Sequence, residues 1–144
     1  MYTLYFDGAM KKDGRAGAGF VLFDDDQNEV IRGNHNLTGV RGVTSNYCEY
    51  IALIGGMQCA KSLGLGRFLV KGDSQLVINQ IFGTWRIKAQ NLAPLARKCI
   101  DLRNNCWIEG KWISRNFNSL ADELANRACR QDIVPAQDPQ WWAV

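Results

Sequence analysis

Apolar and aromatic positions crowd into three short runs at the start of the chain, Tyr2 to Phe6, Phe20 to Phe23 and Val30 to Leu37. Between them lie segments rich in Gly, Asp and Asn. Runs of this length and composition predict three antiparallel strands. The turns fall at Asp13-Gly14, within the Gly-rich KKDGRAGAG, and at Asp24 to Asp26 with Asn28.

After Thr44-Ser45-Asn46 the period changes. Cys48, Ile51, Ala52, Gly55, Cys59 and Ser62 follow i, i+3, i+4, i+7 spacing, which predicts a long helix ending near Gly64. Gly55-Gly56 inside it costs about 1 kcal/mol per glycine against Ala, so a close approach to the sheet is the expected compensation. Arg67 to Lys71 then reads as a buried strand, Ser74 to Phe82 as a helix and Gly83 to Asn91 as a loop. Leu92 to Arg103 is expected to be helical, with Pro94 tolerated in the first turn. Cys106 to Ile113 alternates as a strand, and a last helix from Leu120 to Arg130 buries Ala121, Leu124, Ala125 and Ala128.

The order β-β-β-α-β-α-α-β-α gives a mixed sheet with helices packed on it. Residues 1–131 form one expected domain and 132–144 a tail, DIVPAQDPQWWAV, whose Pro and polar residues break regular structure. Trp141-Trp142 is open to three readings: docking on the domain's own surface, a partner site, or a stacking surface for nucleic acid. Docking is the default, because termini stay mobile unless tied down.

Composition narrows the classes. At 144 residues and 47% hydrophobic content, the chain can bury a core without disulfides or structural metal. The five cysteines, Cys48, Cys59, Cys99, Cys106 and Cys129, form no CxxC pair and fall on apolar-periodic segments, so they are expected to be buried thiols. No apolar run approaches the about 18 residues that a membrane span needs, and no signal-like leader is visible, so a soluble cytoplasmic protein is expected. The net charge of +3 favours approach to a polyanion without demanding one. The single histidine, His35, is expected at a surface or edge, not as a ligand.

The candidate chemistry lies in carboxylates. Asp7 ends the first strand before Gly8, and Asp73 follows a strand and a Gly. Glu49 and Asp122 fall in the first turns of helices. Each alone has a structural explanation: an Asp-Gly turn for Asp7, a helix cap for Asp73, and capping-box spacing from Asn46 to Glu49 and from Ser119 to Asp122. Together they could converge at one edge of the sheet. Such a cluster cannot stay fully ionised without cations, and its hard oxygen ligands suit Mg2+ or Mn2+ better than zinc.

The segments LYFDGA, TSNYCEYIAL, VKGDSQLVINQI and NSLADELANRA, in that order, resemble the type 1 ribonuclease H family over about residues 1 to 131. The resemblance implies a ribonuclease H-like α/β fold: a five-stranded mixed sheet of order 3-2-1-4-5, with helices on both faces. It implies an endonuclease that hydrolyses the RNA strand of an RNA–DNA hybrid and leaves 5′-phosphate and 3′-hydroxyl ends. Two divalent ions about 3.5 to 4 Å apart would stabilise the attacking and leaving oxygens of that displacement. Asp7 and Asp73 would be the central metal ligands, with Glu49 on the leaving-group side and Asp122 on the water side. Thr44 would match a contact to a DNA-strand phosphate, and Ser45 and Asn46 a pair that touches the minor groove. A monomer is expected.

This sequence departs from the family in three places. Ser45 replaces the more usual Asn. The basic, Trp-rich segment of many bacterial members is reduced to GTWRIKAQN, where Trp85, Arg86 and Lys88 remain as candidate substrate contacts. The mobile-loop histidine is missing, and Arg115 stands near its place. A guanidinium cannot shuttle a proton near neutral pH, so Arg115 would act by electrostatics. The alternatives are a non-catalytic nucleic-acid-binding module on the same fold, which the presence of all four carboxylates argues against, and a transposase-like enzyme acting on DNA.

Overall fold

The computed structural model describes residues 1–144. Five strands, β1 (Tyr2–Met10), β2 (Ala16–Phe23), β3 (Glu29–Asn36), β4 (Arg67–Gly72) and β5 (Trp107–Trp112), form one sheet of order β3-β2-β1-β4-β5. β1, β2 and β3 are antiparallel, while β4 runs parallel to β1 and β5 parallel to β4. Four helices, α1 (Ser45–Ser62), α2 (Gln75–Ile81), α3 (Ala93–Arg103) and α4 (Ser119–Cys129), complete the fold. The mixed sheet, its order and the helices on both faces are as expected. No helix is long and apolar enough to cross a membrane.

Glycines set how close the layers come. On one face, a Cβ at Gly56 of α1 would lie 2.7 Å from Leu4 of β1. On the other, Gly17 and Gly19 of β2 lie under α4, where a Cβ would lie 2.5 and 2.7 Å from the Ala125 backbone. This explains the main departure in element bounds. The AGAG segment is strand and not turn, because it is the part of β2 on which α4 rests. β1 correspondingly continues past Asp7 to Met10, paired through Met10↔Ala16. The remaining connection is Lys11 to Arg15. The second expected turn holds, with Asp24 Oδ1 accepting from the backbone N–H groups of Asp26 and Asn28 at 2.9 Å each.

The helix starts also resolve the capping alternatives. Thr44 caps α1, its Oγ1 accepting from Tyr47 N–H at 3.1 Å, and Ser74 caps α2 through Val77 N–H at 3.2 Å. Glu49 and Asp73 are therefore not cap residues. Asn118 precedes α4 without a side-chain cap bond, leaving Asp122 in the first turn. Four cysteines are buried, Cys106 is half-buried, and all are free thiols.

The tail is part of the core and not a loose end. Trp141 is 6% exposed and meets Phe20 edge-on at 5.8 Å, within a short 3-10 turn at Pro139–Trp142 that forms despite the Pro and polar residues around it. Trp142 stacks on His35 of edge strand β3 at 5.1 Å and lies against Gly55 of α1. The two glycines inside α1 thus serve different neighbours, Gly56 the sheet and Gly55 the tail. Asn34, 1% exposed, anchors the segment: its Nδ2 donates to Leu124 and Asp132 carbonyls, and its Oδ1 accepts from Val134 N–H at 2.9 Å. The buried Trp141 ring is closed to outside partners.

Trp141→Ala is expected to remove about 3–5 kcal/mol of stability, the range for truncating a large buried aromatic. Urea unfolding of the full chain measures this, and an unchanged midpoint and slope would mean that the tail does not belong to the core.

Candidate metal centre and active site

The sheet opens where β1 and β4 part. Their parallel pairing ends at Phe6↔Gly72, one residue before Asp7 and Asp73. Asp7 pairs with Gly19, so its side chain shares the face covered by α4, while Gly8 faces α1. At Gly8 the helix and strand backbones almost touch, since a Cβ there would lie 2.5 Å from Glu49 N. The Gly8 N–H donates to Glu49 Oε1 at 2.7 Å, which draws Glu49 to Asp7.

Asp7, Glu49 and Asp73 each offer an oxygen within 4.8 Å of the others. Asp7 and Glu49 are 4% and 7% exposed, so water does little to separate their charges. Burial pushes the Asp7 carboxyl far above the usual carboxylate range, and its contact with Glu49 and the charges of Glu49 and Asp73 push it further. Burial also raises Glu49, offset in part by hydrogen bonds from Asp7 and from Gly8 N–H. Asp122, on the first turn of α4 with its side chain 35% exposed, pushes Asp7 the same way from the rim. The four carboxylates line one open cleft of about 490 Å³ with Ser45, Asn46, Trp112 and Arg115.

The donor set fits a divalent cation. It is all hard oxygen, it is over-supplied with negative charge, and Glu49 Oε2 is buried with no hydrogen-bond partner. An ion would satisfy that orphaned oxygen and displace the proton that burial forces onto Asp7.

The fold has counterparts among known proteins. A family profile described as "Reverse transcriptase-like" matches residues 5–128. The crystal structure of an RNase H1 from the archaeon Halobacterium salinarum superposes with a TM-score of 0.83 at 31% identity, covering 90% of this chain and 98% of that one. The chain belongs to the ribonuclease H-like family. A second structure, LC11-RNase H1 in complex with an RNA/DNA hybrid, matches with a TM-score of 0.83 at 25% identity, over 91% of this chain and 98% of that chain. Among curated relatives, a bifunctional protein of Mycobacterium tuberculosis is 34% identical over 122 residues, 84% of this chain. This chain spans only 33% of that relative's length.

Against this ribonuclease H-like frame, the expected site residues fall into two groups. Asp7, Glu49, Asp73 and Asp122 converge, three tightly and Asp122 at the rim. Arg115 joins them from a 3-10 turn at Arg115–Phe117, its side chain 80% exposed and its guanidinium 3.9 Å from Asp122. Ser45 and Asn46 are exposed on the cleft wall, and Thr44 is exposed at the start of α1. Trp85, Arg86 and Lys88 do not line the cleft. They are exposed on the loop after α2, with Trp85 50% exposed and so not a core residue. Asn91 Nδ2 ties that loop to the Gly42 carbonyl at 3.2 Å, beside the segment leading into Thr44.

Some site residues were not singled out from sequence. Asn118, 1% exposed, donates to the Phe6 carbonyl at 2.9 Å and so pins the start of α4 to β1 next to Asp7. Its spacing of one helical turn before Asp122 was the available signal. Trp112 donates its indole N–H to the Asp73 carbonyl at 3.1 Å and forms part of the cleft wall. Its alternating position in β5 gave no hint of this contact.

Asp7 carries a raised pKa in the folded, metal-free protein, so its contribution to stability is fully present below the unfolded value near 3.8 and is lost as pH rises toward the folded one. Asp7→Asn is therefore expected to raise the thermal midpoint in EDTA at pH 8, with the gain shrinking toward pH 4. Mg2+ or Mn2+ should raise the midpoint of the wild type more than that of the variant. Equal midpoints of the two proteins in EDTA at both pH values would contradict the buried-charge account.

Proposed function

We propose that this chain is an endonuclease that hydrolyses the RNA strand of an RNA–DNA hybrid, leaving 5′-phosphate and 3′-hydroxyl ends. The observation that carries this reading is the packing of Asp7, Glu49 and Asp73 around one point, with a buried Glu49 oxygen unpartnered. The names of its structural relatives support the substrate class, including a ribonuclease H1 in complex with an RNA/DNA hybrid.

Asp7 and Asp73 would hold both of two divalent cations, Mg2+ or Mn2+, with Glu49 completing one site and Asp122 the other. When bound, the ions supply Lewis-acid stabilisation of the attacking and leaving oxygens. The chain's own part is to fix the donors. Gly8 N–H orients Glu49, and Asn118 holds the start of α4 against β1 so that Asp122 meets Asp7. Arg115 is a permanent cation at the rim, placed to balance charge that develops on the phosphate.

Ser45 and Asn46 on the cleft wall face the groove of the hybrid, where 2′-hydroxyl groups distinguish RNA from DNA. Thr44 would take a phosphate of the DNA strand, and the loop with Trp85, Arg86 and Lys88 would extend that contact. All of these groups come from one chain, so a monomer suffices.

Strand-labelled hybrid should be cut only in its RNA strand, in Mg2+ or Mn2+ and not in EDTA, with single-stranded RNA and duplex DNA left intact. Asp73→Asn should reduce cutting to background. Arg115→Ala should lower kcat by about 10²-fold, the scale for removing one transition-state charge partner. A folded protein that binds hybrid but cuts nothing in either metal would point instead to a binding module.

A further inference from the structure

The connection between β1 and β2 brings one more charged group to the cleft. Lys11 lines the same cavity as the carboxylates, alongside Asp122 and Asn126. Its ammonium donates to Asn126 Oδ1, on the second turn of α4. The other end of that amide donates to Asp122, to its carbonyl at 2.8 Å and to its Oδ1 at 3.2 Å. An amide oxygen only accepts and an amide nitrogen only donates, so Asn126 is oriented from both ends.

This arrangement keeps Lys11 near the acids without neutralising it. None of the ion pairs in the structure includes Lys11. Asn126 occupies one of its three donors, which leaves two for a ligand. Held in place by Asn126, the side chain also gives up less rotamer freedom on binding than a free surface lysine would. Arg115 and Lys11 then flank Asp122, one by a direct ion pair and the other through an amide. A polyanion entering a cleft of four carboxylates needs such flanking cations to offset the repulsion.

We propose that Lys11, positioned by Asn126, binds a backbone phosphate of the strand that crosses the carboxylate cleft, next to the reacting phosphate. The proposal depends on the nuclease reading above, and it assigns to the β1–β2 connection part of the grip that the short segment after α2 does not supply.

Hybrid binding by the full chain in EDTA, followed by anisotropy across a NaCl series, tests it. Lys11→Gln should make the slope of log K against log salt shallower by about one unit, the effect of losing one phosphate contact. In Mg2+ the same variant should raise KM while kcat stays within about twofold, as expected for lost uniform binding. Lys11→Arg should restore the slope. Lys12→Gln, a neighbouring exposed charge that does not line the cleft, should leave it unchanged. A Lys11→Gln slope equal to that of Lys12→Gln would overturn the assignment of Lys11 while leaving hybrid cleavage by the wild type intact. A wild-type chain that neither binds nor cuts hybrid would overturn both.

Discussion

The site depends on one close approach, that of helix α1 to strand β1 at Gly8. No side chain fits between the two backbones there, and the freed space lets the Gly8 N–H reach Glu49. That single hydrogen bond turns Glu49, which sits just past the first turn of α1 and not within it as its spacing from Asn46 suggested, across to the strand. Glu49 and Asp7 are thereby brought together out of water, and the rest of the site's electrostatics follows. Two buried carboxylates with a third alongside cannot all carry charge unless a cation joins them.

Holding such a cluster destabilises the metal-free fold, and the surrounding layers offset it. Gly17 and Gly19 let α4 lie directly on β2, which fixes the rim carboxylate Asp122 relative to the strand that carries Asp7. Asn118 then locks the start of α4 to β1 through a buried bond to Phe6. Two strands across from Asp7, Asn34 binds the C-terminal segment to edge strand β3, and Gln58 of α1 donates to the Trp141 carbonyl. The same α1 that presents Glu49 is therefore braced by the tail at Gly55. Stability at the tail and geometry at the site share one helix.

The cationic side of the site is built differently from the acidic side. Asp7 and Glu49 are buried, and the Gly8 N–H fixes Glu49, whereas Arg115 is largely exposed and Lys11 is held only through an amide. Buried acids give a fixed geometry for hard cations, and exposed bases can adjust to a flexible polyanion. Trp85, Arg86 and Lys88 stand further out, on a loop tied to the segment before α1. The positive groups thus surround the carboxylates without entering their cluster.

The sequence alone determined the element order, because apolar periodicity of 2 or 3.6 is a local property of the chain. It also supplied the four carboxylates, since each lies in a short motif whose flanking residues are themselves local. What it misjudged were features set by contact partners far away in the chain. The AGAG run reads as a turn until α4 is laid on it, and β1 reads as ending at Asp7 until β2 pairs beyond it. Glu49 reads equally well as a cap or as a ligand until Gly8 supplies its N–H. Trp141 stays open among docking, partner and stacking readings until Phe20 meets it in the core, and nothing in the local sequence around Lys11 signals its contact with Asn126. Propensity and motif act between neighbours in the chain, while close approach, burial and charge clustering exist only between residues that folding brings together. The choice between cap and ligand, turn and strand, or surface and core was therefore made by tertiary structure.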